Sequence, residues 1–158
     1  MFTGFGIRTL SSTTPRFNPA SYHNGSVWPH DSTIAAAGMA AVGRHDAAAV
    51  VTSGLLDALE AFGGRLPELF CGFARDDRPA PVPYPTSCSP QAWAAAAPYE
   101  LLRLSLDLHL DLRTGTARAA GVPDFFGSVV IDGLRAGGSS IVVRADASGA
   151  TIDGLPQT

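Results

Sequence analysis

The sequence predicts a mainly α chain that closes in a small β-hairpin or sheet. Two stretches between Asp31 and Phe62 carry apolar side chains at three- and four-residue spacing, each followed by glycine. An Ala-rich stretch follows Ser89-Pro90, and from Leu102 onward the apolar period becomes two.

Residues 1–30 read as irregular, punctuated by Gly4, Gly6, Pro15, Pro19, Gly25 and Pro29. So long a loop in a compact chain is usually functional, and this one mixes aromatic and polar groups: Phe17, Tyr22, His23, Asn24, Trp28 and His30. Asp31 or Ser32 is the expected cap of a first helix running through Ile34, Ala35 and Met39 to a stop at Gly43. A second helix is expected from Asp46, with Val51, Leu55, Ala58, Leu59 and Phe62 on one face, ending at Gly63-Gly64. So short a break between them implies a helical hairpin. A Pro-rich loop over 65–89 holds Glu68 and the Pro79–Pro85 run. Ser89 as cap and Pro90 in the first turn open a third helix through Gln91, Trp93 and Leu101. Leucines at 102, 104, 106, 108, 110 and 112 then alternate, and the switch from helix to strand is placed near Ser105. Val129–Ile131 and Ile141–Val143 are read as strands joined by a turn at Ala136-Gly137-Gly138-Ser139, and the tail from Asp146 as frayed.

Composition narrows the function classes. Apolar residues make up 46% and charged residues 16%, which describes a globular chain and not a disordered one. All 11 basic residues are arginines, scattered singly, and the net charge is −3. Neither a nucleic acid nor an anionic membrane is an expected partner. Cys71 and Cys88 form no disulfide framework or zinc spacing. Without a basic-then-apolar leader or a long apolar run, the expected compartment is the cytoplasm. Ser26, His23 and Asp31 lack the strand–turn–helix elbow of a hydrolytic triad. His23, His30 and Asp31 lack a helical metal-ligand spacing. No glycine-rich loop precedes a helix to cradle phosphate. No cofactor and no metal are expected.

Two loop segments combine a carboxylate with aromatic neighbours: Ser21–Asp31, and Arg65–Phe73 with Glu68. Glycosidic hydrolysis needs two carboxyl groups flanking the bond, about 6.5–9.5 Å apart for inversion. It also needs aromatic faces on which sugar C–H groups stack. Composition leaves alternatives open. Glu68 beside Pro67 also suits a solvated loop, and Trp28-Pro29 also suits a staple at a helix entry.

Gly4-Phe5-Gly6-Ile7-Arg8-Thr9-Leu10-Ser11, Phe17-Asn18-Pro19 and Tyr22-His23-Asn24-Gly25-Ser26-Val27-Trp28-Pro29-His30-Asp31 resemble successive blocks of the amylo-alpha-1,6-glucosidase (glycogen-debranching) family. Arg65-Leu66-Pro67-Glu68-Leu69-Phe70-Cys71-Gly72-Phe73 and Pro90-Gln91-Ala92-Trp93-Ala94 continue the resemblance in order. More distantly, Gly25-Ser26-Val27-Trp28-Pro29 is similar to a segment of the trehalase and mannosylglycerate hydrolase relatives. The resemblance implies the C-terminal part of an (α/α)6 toroid, with residues 1–112 as a portion of the catalytic domain and 113–158 as a β-rich extension. It implies an inverting hydrolase of alpha-glucosidic linkages with Glu68 as general base. Trp28 and Trp93 would be sugar-stacking platforms, and Tyr22, His23, Asn24, Asp31 and Gln91 hydroxyl contacts. Each of these five also suits a cap, a core hydrogen bond or a loop staple, and Asp31 in particular suits a helix cap.

In the relatives the general acid is an Asp upstream of the first block. The expectation is therefore a fragment, inactive alone, whose partners are an oligo- or polysaccharide and the missing N-terminal part of the toroid. The alternative is a non-catalytic carbohydrate-binding or interaction module derived from that family. Fold resemblance leaves the substrate open among glycogen branch points, disaccharides and small glycosides.

Overall fold

A computed structural model describes residues 1–111, 113–136 and 138–154. Among them, helix α1 spans Pro29–Ala41 and α2 His45–Ala61; strands β1 Phe70–Cys71 and β2 Val82–Pro83 follow. Helix α3 spans Ala92–Ser105, strand β3 His109–Asp111 and strand β4 Thr116–Arg118. A 3-10 turn at Asp124–Phe126 leads into β5 Ser128–Ala136, β6 Ser139–Asp146 and β7 Gly149–Asp153. Among the described residues only 31% are helical, and about 23% are strand in three antiparallel sheets. The expectation of a mainly α chain forming the C-terminal part of an (α/α)6 toroid is thereby overturned. The physical reason lies in the segments between and after the helices, where proline and glycine break helical periodicity and short strands pair locally.

The chain divides into two compact units, Met1–Leu101 and Leu102–Thr158, with α3 running through the division. In the first unit, α1 begins earlier than the expected Asp31 or Ser32 cap. Trp28 occupies the N-cap with extended backbone and no side-chain cap bond, and Pro29 takes the first turn. Proline suits that position because its missing N–H would be unpaired there anyway. The Ser32 hydroxyl instead accepts from the Ile7 N–H at 3.0 Å, tying the irregular N-terminal segment to α1. Helix α2 ends at Ala61 with Phe62 as its C-cap, and Gly63 and Gly64 follow at φ +68° and +85°, a left-handed backbone that only glycine adopts freely. The Gly63 and Gly64 N–H groups bond back to the Glu60 and Leu59 carbonyls at 2.9 and 2.8 Å. Phe5, Val27, Ala58, Leu66, Phe70 and Ala97 form the buried core here, with Leu59 and Phe62 packed against it.

Helix α3 is capped by Gln91, whose side-chain oxygen accepts from the Ala94 N–H at 3.0 Å. The expected Ser89 cap and Pro90 first turn thus lie two residues too early.

In the second unit, Leu102 and Leu104 are still helical, and the helix gives way after Ser105. Leu106 and Leu108 are buried with Val122, Val143 and Ala145 in a separate core. Leu112, the last leucine of the alternation, lies outside the described residues, as does Gly137 of the turn. Strands β5 and β6 pair from Ser128↔Asp146 to Ala136↔Ser139, with a register shift between Ile131 and Leu134. The tail from Asp146 is corrected: Gly149–Asp153 forms β7 and pairs along β6 from Gly149 to Asp153. Its low apolar content is no obstacle, because the strand is paired along β6 and its Ala150 and Ile152 pack against the core of this unit. No described helix is long and apolar enough to cross a membrane.

Candidate active site

Two loop segments far apart in sequence are joined by a single backbone bridge. The Val27 N–H donates to the Phe70 carbonyl at 2.9 Å, and the Phe70 N–H returns to Val27 at 3.0 Å. Both side chains are buried, so the apolar core fixes this register. The bridge sets residues 22–28 beside residues 66–72. Gly72 completes the approach: a Cβ there would collide with the Gly25 carbonyl oxygen, so only glycine lets the two backbones come this close. The Gly72 N–H bonds to the Pro19 carbonyl at 2.8 Å, and the buried Arg8 Nε donates to the Gly72 carbonyl at 2.7 Å.

Glu68 sits between Leu66 and Leu69, both buried, and is itself only 9% exposed. Its carboxylate is bracketed. The Tyr22 hydroxyl donates to Oε1 at 2.7 Å, and the Cys88 N–H donates to Oε2 at 3.2 Å. The Glu68 N–H donates in turn to the Cys88 carbonyl at 3.0 Å, and the Leu69 N–H to the Ser87 hydroxyl at 3.1 Å. The Tyr22 bond and the Cys88 N–H hold the Glu68 carboxyl below its usual range against the opposing effect of burial. The same bond pushes Tyr22 up to about 12, since an ionised phenol would lose its donor proton and face a second anion.

Aromatic rings surround this pair. Tyr22 meets Trp28 edge-on at 5.0 Å, His23 at 4.7 Å and Tyr84 at 5.7 Å between ring centres. His23 and Trp28 are parallel to within 4° at 5.8 Å. The Trp28 indole N–H is shared between the Ser26 hydroxyl at 3.0 Å and the Tyr22 carbonyl at 3.2 Å, and Ser26 itself donates to that carbonyl at 2.6 Å. Pro67 and Tyr84 also line a cleft of about 370 Å³ with Phe62, Arg65, Pro83 and Ser87.

Of the residues singled out from sequence, Tyr22, His23, Trp28 and Glu68 therefore stand together. Asp31 does not join them: it is exposed in the first turn of α1, 3.6 Å from His30 Nδ1. Its expected alternative as a helix cap is also corrected, because the helix starts before it. Trp93 is 47% exposed and stacks on His30 at 5.5 Å and 21°. Gln91 caps α3, and Asn24 is exposed in the loop, its carbonyl accepting from Asn18 at 2.8 Å. Tyr84, Ser26 and the Cys88 backbone were not foreseen. Ser26 lies inside a recognised block, but nothing local marks Tyr84 or Cys88, which meet the site through the β1–β2 pairing and through the bonds of 68–69 with 87–88. Among the described residues no group of three His, Cys, Asp or Glu side chains could hold a metal ion.

Residues 2–70 match the family model of the mannosylglycerate hydrolase MGH1-like glycoside hydrolase domain. Comparison with curated proteins finds no match. The matched span takes in Tyr22, Trp28 and Glu68 and stops before Cys88, Gln91 and Trp93. It speaks for glycoside hydrolases without singling out the debranching enzymes. The segment that brings Tyr22 and Glu68 together is thus a relative of glycoside hydrolase domains.

Proposed function

We propose that this chain serves the inverting hydrolysis of an alpha-glucosidic linkage, with Glu68 as the general base. The observation that supports this best is the bracketed Glu68 carboxylate. A carboxyl held below its usual range is a poor proton donor at neutral pH and is fully available as an acceptor. Each carboxylate oxygen has two lone-pair directions. Tyr22 and Cys88 engage one on each oxygen, which leaves acceptor capacity to hold a water and take its proton.

Trp28 and Trp93 offer stacking faces to the sugar. His23, Asn24 and Asp31 are exposed and available for hydroxyl contacts. Gln91 acts by starting the helix that carries Trp93. The ligand is an oligo- or polysaccharide, and an alpha-1,6-linked glucan, trehalose and mannosylglycerate make the informative panel.

Glu68→Gln is expected to lower turnover by about 10²–10⁴-fold while leaving calorimetric sugar binding measurable. Full turnover by that variant would move the base elsewhere. Sugar binding that persists without turnover even when a segment carrying the general acid is supplied would favour a second reading, a non-catalytic carbohydrate-binding module. The exposed face of Trp93 stacked on His30 is the feature that favours it.

A further inference from the structure

Resting on Glu68 as the base, we infer that Tyr22 is a positioning residue whose hydroxyl holds the Glu68 carboxylate in one orientation and in its charged form, rather than a contact for the sugar. The geometry carries this. A phenol O–H 2.7 Å from a carboxylate oxygen is a charge-assisted hydrogen bond, stronger than a neutral one. The Tyr22 proton is committed to Glu68, so the hydroxyl can meet a ligand only as an acceptor. Tyr22 is itself immobilised. Its carbonyl accepts from Ser26 and Trp28, and its ring is walled by His23, Trp28 and Tyr84.

The opposite carboxylate oxygen is met by the Cys88 N–H, so donors from both sides prevent rotation. Among the described residues, the titratable groups facing Glu68 are Tyr22 and the Cys88 thiol, with Tyr84 and His23 behind Tyr22. The displaced titrations of the two partners agree with this geometry: Glu68 lies low, and Tyr22 is raised to about 12.

The pair is tested in the 158-residue chain by ¹³C-carboxyl NMR of glutamate-labelled protein and by the ultraviolet absorbance of its 3 tyrosines. Tyr22→Phe is expected to move the Glu68 midpoint upward. Reciprocally, Glu68→Gln is expected to bring the Tyr22 midpoint down from about 12 toward the ordinary value of 10.0. An unmoved midpoint in either variant overturns the inference, and if Tyr22→Phe fails to fold, the Glu68→Gln measurement decides alone. Where turnover is measurable, Tyr22→Phe shifts the acid limb of the kcat profile to higher pH with KM little changed. A raised KM with an unmoved limb would instead make Tyr22 a sugar contact. Neither titration depends on turnover. A Glu68→Gln protein that keeps its activity therefore refutes the base assignment without touching the Tyr22–Glu68 coupling.

Discussion

At Glu68 two effects oppose each other. Burial disfavours the charged carboxylate, whereas the donors from Tyr22 and Cys88 favour it, and the donors prevail. Linkage turns this into a dependence of stability on pH. Glu68 titrates lower in the folded chain than in the unfolded one. Its contribution is present above the ordinary glutamate range and is lost as pH falls through the folded value. Tyr22 works in the other direction: its folded value of about 12 lies above the ordinary 10.0, so its contribution is complete below 10.0 and disappears as pH rises toward 12. Chemical denaturation across pH is expected to show an alkaline loss in that window, absent in Glu68→Gln. A wild-type stability unchanged between those limits would contradict it. Glu68 could be singled out in the sequence because it lies in a block that resembles a known family, whereas its setting beside Pro67 equally suits a solvated loop. Its partners could not, since one is 46 residues away and the other is a backbone N–H.

Among the elements, the bridge between Val27 and Phe70 decides whether there is a site at all. Gly72 is where this is most exposed to mutation. Gly72→Ala would drive a methyl into the Gly25 carbonyl and is expected to destabilise the chain by at least about 1–3 kcal/mol, as overpacking does, measured by urea denaturation. A neutral substitution would mean that the two loops do not approach as described. Gln91→Ala removes the acceptor on the Ala94 N–H and is expected to cost about 0.5–2 kcal/mol, the range for a lost cap. Helix ends at Gly43 and Gly63–Gly64 were visible in the sequence, because a glycine after an apolar-periodic run stops a helix by its own backbone freedom. The start of α1 was not. Asp31 and Ser32 are good cap residues by type, but the Ser32 hydroxyl is drawn to Ile7, 25 residues earlier.

For the molecule as a whole, the two units have separate buried cores. Leu106 is fully buried among Leu108, Val122, Val143 and Ala145. Leu106→Ala is expected to cost about 2–5 kcal/mol, read as lowered hydrogen-exchange protection of the paired β5 and β6 amides. Unchanged protection there would show that this cluster does not support the sheet. On the solvent side, Ile34 of α1, Val42 at its C-cap, Val50 of α2 and Tyr99 of α3 remain exposed.

The sequence by itself determined what depends on neighbours along the chain. That covers the two glycine-terminated helices, the change to strand character after Ser105, the β5–β6 hairpin and the choice of Glu68 as the carboxylate to watch. The helices, the strand switch and the hairpin follow from periodicity and backbone freedom, which act within a few residues, whereas the choice of Glu68 rests on the family resemblance. Tertiary structure decided what depends on partners. It set the balance of helix and strand, because β1–β2, β4 and β7 exist only through pairing that their own residues do not announce. It also set the surroundings of Glu68. The Val27–Phe70 bridge and the close approach at Gly72 bring a phenol and a backbone N–H to one buried carboxylate, and hydrogen bonding over that distance is a property of the folded chain alone.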